Sequence, residues 1–178
     1  MNSSALLNTE FEIIERQFKG VLKGLSLDQI CWQPEPEANS VGFLLWHLLY
    51  TWDDYERLIE NRESLYEKEG WAGRFGFETK GRGVEGSGMG TGFKPEDVAI
   101  VRPQSEPLLG YLKSLLMVTK TYLKTATDDS LDGEVIVPWW PKPATAGRVL
   151  IHIVAHSNFH LGEAQYVRGL ALQRFKAN

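Results

Sequence analysis

The chain has four histidines, and three of them fall close together near its C-terminus: His152, His156 and His160. A spacing of four residues stacks side chains one turn apart on a single helix face. Glu163 continues the row, and the same stripe carries Val149, Ile153, Ala164 and Val167. That apolar company marks the stripe as the buried side of its helix. Titratable groups there are costly to desolvate unless something compensates them, and a metal ion would do so. Neutral imidazole nitrogens take zinc, nickel and similar ions at about 2.0–2.1 Å, and a catalytic site keeps one position open. Two histidines four apart can share an ion, with a third ligand from a neighbouring helix. His47 is the only histidine outside this segment. Buried histidines hydrogen-bonded to backbone or carboxylate give the same H-x-x-x-H spacing. The zinc-peptidase pattern H-E-x-x-H is not met, because Ser157 stands in the glutamate's place.

These residues need helices to position them. The periodicity of Gly147 to Leu172, with Thr145 as its cap, predicts the helix that carries the histidine row. Leu150, Val154 and Leu161 form a second apolar stripe on it, turned roughly 120° from the first, so both faces are expected to be covered. Leu7, Phe11, Ile14, Phe18, Val21, Leu22 and Leu25 predict a first helix from about Ser4 to Gly24. Asn39 and Ser40 can cap a second, running to about Asn61. Its start, Val41 to Tyr50, is apolar nearly all round, so neighbours or a partner subunit must enclose it. Ser105 can cap a third helix, whose inner face runs from Leu108 to Leu123.

Residues 62–103 read as irregular, with a glycine-rich loop over about 70–95. Gly81 to Gly86 fits G-x-G-x-x-G, but no strand precedes it and no helix opens from it, so a dinucleotide site is not indicated. A lid, or a segment wrapped on a partner, suits that length. Trp71, Phe75, Phe77 and Phe93 imply that the loop packs on something. Trp139 and Trp140, held between prolines, suit packing or an apolar wall over a site, and Tyr50 and Tyr166 suit packing. Four long helices and no convincing strand predict an all-α protein, a four-helix bundle in one domain spanning 1–178.

The 178 residues carry a formal net charge of −4, with 43% hydrophobic and 24% charged residues. No basic run offers a footprint for nucleic acid or anionic lipid, and neither partner is expected. A single cysteine, Cys31, suits a reducing compartment and a small buried role. No signal peptide and no apolar run of about 20 residues is visible, so the expected location is cytoplasmic.

Gly42-Phe43-Leu44-Leu45-Trp46-His47-Leu48, together with the segment Leu150 to Glu163, resembles the DinB/YfiT-like superfamily of metal-dependent four-helix bundles. The layout of the whole chain follows the resemblance, and those two segments carry it. It implies that His47, His156 and His160 are the metal ligands. His152 then matches an extra histidine one turn earlier, placed to support the ligands rather than to bind. The family commonly reads H-R-G-Q where this chain has His160-Leu161-Gly162-Glu163. Glutamate in the last place puts an ionisable group one turn from a ligand. It can orient a histidine, approach the ion, serve as a catalytic base, or sit solvated at the mouth of the bundle.

The resemblance implies a zinc, nickel or manganese ion and a low-molecular-weight thiol cosubstrate such as bacillithiol, mycothiol or glutathione. The expected activity is an S-transferase or isomerase in detoxification or stress response, acting on a small molecule. A hydrolase using metal-bound hydroxide and a non-enzymatic metal-binding stress protein are the alternatives. A homodimer is expected from the all-round apolar start of the second helix, the second stripe of the histidine helix, and the dimers common in the family.

Overall fold

The computed structural model describes residues 2–176. Four long helices build it: α1 (Ser3–Leu22), α3 (Val41–Glu60), α7 (Ser105–Thr125) and α9 (Ala146–Arg174). Between them lie α2 (Leu27–Cys31), α4 (Leu65–Lys68), α5 (Trp71–Phe75), α6 (Pro95–Ile100) and α8 (Asp128–Leu131). A two-residue antiparallel ladder, β1 (Glu134–Val135) with β2 (Ala144–Thr145), closes the connection into α9. The all-α bundle expected from the sequence is therefore the fold.

Local chemistry sets the helix ends. The Ser40 hydroxyl accepts the Phe43 amide, and Thr145 accepts the Arg148 amide, as each was placed to do. Asn61 ends α3 in the left-handed region at φ 48°. The third long helix starts from Gln104, and Ser105 is its first residue rather than its cap. Residues 62–103 contain α4, α5, α6 and a 3-10 turn where an irregular loop was expected. One-turn helices are too short to show a 3.6-residue repeat.

The start of α3 is enclosed by its own chain. Val41, Leu44, Leu45, Trp46, Leu48 and Leu49 have almost no exposed surface, and α2, α7 and α9 all pack on this helix. Helix α9 also departs from expectation. At about 100° per residue, Val149, Leu150, Ile153, Ser157, Leu161 and Ala164 form one continuous buried arc rather than two stripes. The histidine row lies along one edge of that arc, half-buried. Ile151, Phe159 and Tyr166 point outward and are 62%, 64% and 71% exposed, so packing within the bundle is not the role of Tyr166.

A buried polar network that sequence reasoning did not anticipate ties the end of α3 to α7. Asp53 accepts from the Tyr111 hydroxyl at 2.7 Å, from the Tyr66 amide at 2.8 Å and from Arg62 at 3.0 Å. Glu56 faces Arg62 at 3.3 Å and Thr119 at 2.5 Å. Thr119 accepts from the Trp52 indole, and its one hydroxyl hydrogen lies between Glu56 at 2.5 Å and the Leu115 carbonyl at 3.0 Å. Burial pushes the Glu56 carboxyl up to about 8, against the pull of Thr119 and Arg62.

The folded chain therefore holds more protons than the unfolded chain between pH 4.5 and 8, and stability falls as pH rises through that window. Glu56→Gln mimics the protonated group. Relative to wild type, it should gain on the order of 2–3 kcal/mol between pH 5 and 8. Thermal melts across that range check this, and parallel Tm–pH curves for the two proteins would refute it.

Candidate metal centre

His47 rises from the enclosed part of α3, and His156 and His160 face it from α9. Their ring centroids are 5.1 Å and 4.9 Å from that of His47, and 4.4 Å from each other. One nitrogen from each ring lies within 4.8 Å of the others, so the three form a group able to hold a metal ion. The geometry thus brings together imidazoles more than a hundred positions apart in the sequence.

Hydrogen bonds outside the triad decide which nitrogens face inward. The Nδ1 of His47 bonds the Met89 carbonyl, which can only accept, so that nitrogen carries the hydrogen. The Nδ1 of His160 sits 2.7 Å from Glu163 Oε2 and likewise donates. Both rings are left with a bare Nε2, the state a metal requires, and an oxygen acceptor behind each ligand holds its orientation. The Nε2 atoms of His156 and His160 are 3.1 Å apart. Without an ion, His156 can carry its hydrogen on Nε2 and donate it to His160; with that hydrogen on Nδ1, all three rings turn a bare nitrogen toward one point, so the donor set fits a divalent ion. Burial, helped by the neighbouring rings, lowers His156 to about 2 and His47 to about 4. Both rings are therefore neutral at physiological pH, as ligation needs.

The glycine-rich loop acts directly on this centre. It brings the Met89 carbonyl to His47, and Phe93 packs near Phe43, which stacks on His47 with planes 9° apart. Gly90 has φ +101°, and a Cβ there would lie 2.7 Å from His47 Nδ1. Gly90→Ala should therefore displace the His47 ring as well as strain the backbone. A loss of ion affinity on the order of 10–100-fold is expected, the size seen when a ligand's supporting contact is lost. Competition with a chelating indicator measures it, and unchanged affinity would mean that the loop does not set the ring.

The other predicted residues fall in place around the triad. Glu163 makes the orienting contact to His160, one of the four roles open to it. His152 does not join the triad; its ring is 6.1 Å from His156 and packs on Tyr55 and Trp140 at 4.6 Å and 5.2 Å. Asp54, outside the set named above, pairs with Arg57 at 2.6 Å. Cys31 is buried, while Tyr50 lines a cavity of about 920 Å³ with His47, His152 and His156 on its wall. The indoles of Trp139 and Trp140 both donate to the Tyr55 hydroxyl, at 2.7 Å and 3.1 Å. Tyr55 and Thr51 line the same cavity and escaped the sequence reading. Their signal was the four-residue step from His47 to Thr51 to Tyr55.

No helix is long and apolar enough to cross a membrane among the described residues. No curated protein matches the chain. A conserved protein from Enterococcus faecalis, solved by crystallography, has the same fold, with a TM-score of 0.82 over 97% of this chain and 99% of that one at 22% identity. The family model of the DinB superfamily matches residues 10–164, a span that takes in His47, His156, His160 and the helices presenting them. A histidine from α3 meeting a histidine pair from α9 is thus the arrangement of a chain that belongs to the DinB superfamily.

Proposed function

We propose that this protein is a divalent-metal-dependent enzyme joining a low-molecular-weight thiol to a small electrophile, as an S-transferase or isomerase of detoxification or stress response. The observation that carries this reading is the inward convergence of His47, His156 and His160 beside a cavity of small-molecule size. These three residues would hold zinc, nickel or manganese. When bound, the ion would supply charge that favours thiolate over thiol. The chain's own contribution is to fix the imidazoles through Met89 and Glu163 and to seat the electrophile among Tyr50, Tyr55, Tyr66 and Trp139. Glu163 serves as an orienting carboxylate on His160. With Glu163 so engaged, the hydrolase alternative would rest on metal-bound hydroxide alone.

The test is a cobalt-substituted protein titrated with glutathione and with 2-mercaptoethanol, alongside conjugation assays with 1-chloro-2,4-dinitrobenzene. One ion per chain, a sulfur-to-cobalt absorption band and conjugate formation are expected. Ion uptake with ester hydrolysis and no thiol band would favour the hydrolase. Uptake that only raises Tm would favour a metal-binding protein without catalysis.

We also propose a cytoplasmic homodimer, now resting on the outward apolar residues Ile151, Phe159 and Tyr166 of α9. Sedimentation as a monomer at micromolar concentration would refute it.

A further inference from the structure

The Tyr55 hydroxyl accepts from two indoles, and tryptophan N–H groups can only donate. Both lone pairs are thus occupied, leaving the phenol as a donor whose hydrogen has no acceptor among the described residues. Tyr55 is only 6% exposed, so bulk water does not readily take that role. One turn earlier on the same face of α3, Thr51 is 4% exposed, and its hydroxyl also has no partner among the described residues. Both residues line the cavity that His47 and His156 border. An unmet buried donor costs about 1–3 kcal/mol; the Thr51 oxygen is sealed from the cavity, whereas the Tyr55 phenol stands on a wall leading away from the candidate metal centre.

Charge around the cavity narrows what can satisfy that phenol. Asp54 and Arg57 neutralise each other. Glu63, Glu67 and Glu85 also line the cavity and are exposed, with no ion pair among the described residues. Away from the candidate metal centre, a carboxylate or phosphate would meet like charge there, whereas a neutral carbonyl oxygen would accept from Tyr55 without that penalty.

We propose that the cavity takes a ligand with an uncharged carbonyl oxygen, received by Tyr55, so that the proposed electrophile is an enone, aldehyde, ketone or ester rather than an acid. This rests on the enzyme reading above but stands on binding alone. The Trp139 and Trp140 indoles are positioning residues: they keep the phenol turned as a donor.

The experiment uses the zinc-loaded full chain and 2-cyclohexenone, with binding followed by tryptophan fluorescence and the carbonyl stretch by infrared difference spectroscopy. A band at lower frequency than in buffer is expected for wild type. Tyr55→Phe should bind about 10-fold more weakly and lose most of the shift. In the ion-free chain, where no cation draws the carboxylate, cyclohexene carboxylate should bind at least 10-fold more weakly than the ketone. An unshifted carbonyl, a shift intact in Tyr55→Phe, equal binding of the carboxylate to the ion-free chain, or no binding of the ketone would each overturn the inference. A shifted carbonyl without any thiol conjugation would instead retain it and sink the transferase reading.

Discussion

His156→Ala should abolish ion binding while leaving the helical bundle intact. Removing a supporting group behind a ligand already costs 10–100-fold in affinity, and His156 is itself one of the three rings that face one another. A loss of at least about 100-fold is expected, read by elemental analysis after dialysis and by chelator competition. Helical content should persist, because the α9 residues that pack the bundle, Val149, Ile153, Leu161 and Ala164, are untouched. The rise of Tm with added zinc should vanish. His47→Ala should behave alike, whereas His152→Gln should retain the ion, because His152 packs on Tyr55 and Trp140. Ion loss in the His152 variant, or retention in the His156 variant, would show that the ligand set has been wrongly chosen.

The reading of the sequence succeeded where one local regularity decides the outcome. Four long periodic stretches became α1, α3, α7 and α9, and Ser40 and Thr145 cap where their side chains predict. The histidine row was visible because its spacing matches the helical turn, and His47 was the only histidine left to meet it. Features that depend on tertiary placement were not visible. Nothing in the string says that Leu150 and Leu161 share one arc with Ile153, because both alternatives satisfy the periodicity. Nor does it say that Met89 reaches His47, since a glycine-rich loop has no repeat to follow. Trp139 and Trp140 were noticed for their apolar bulk, while their chemistry lies in two N–H groups meeting one phenol oxygen 84 and 85 positions away. Asp53 and Glu56 resemble the surface carboxylates of any amphipathic helix until Arg62, Tyr111 and Thr119 are folded over them.

That last group supplies the largest expected effect on stability. Arg62 is the one cation bonded to both Asp53 and Glu56, each only 1% exposed, and it also reaches Glu60 at 3.1 Å. Removing one partner of a buried ion pair leaves an uncompensated charge, at a cost of about 3–5 kcal/mol. Glu56, raised to about 8, already holds its proton near neutral pH, but Asp53 keeps its acceptor bonds to Tyr66 and Tyr111 without the guanidinium. Because Arg62 is itself 19% exposed, water can enter behind it, and the lower end of the range applies to Arg62→Ala. Near 3 kcal/mol, Tm should fall by roughly 6–12 °C for a chain of this size. The deficit should come from charge rather than lost packing. Asp53→Asn keeps an oxygen for Tyr66 and Tyr111 while removing the negative charge, so adding it to Arg62→Ala should restore about half of the loss. A double-mutant cycle in urea measures the coupling. If the two substitutions simply add, Arg62 holds the end of α3 by packing its alkyl stem, and the ion pair contributes nothing further.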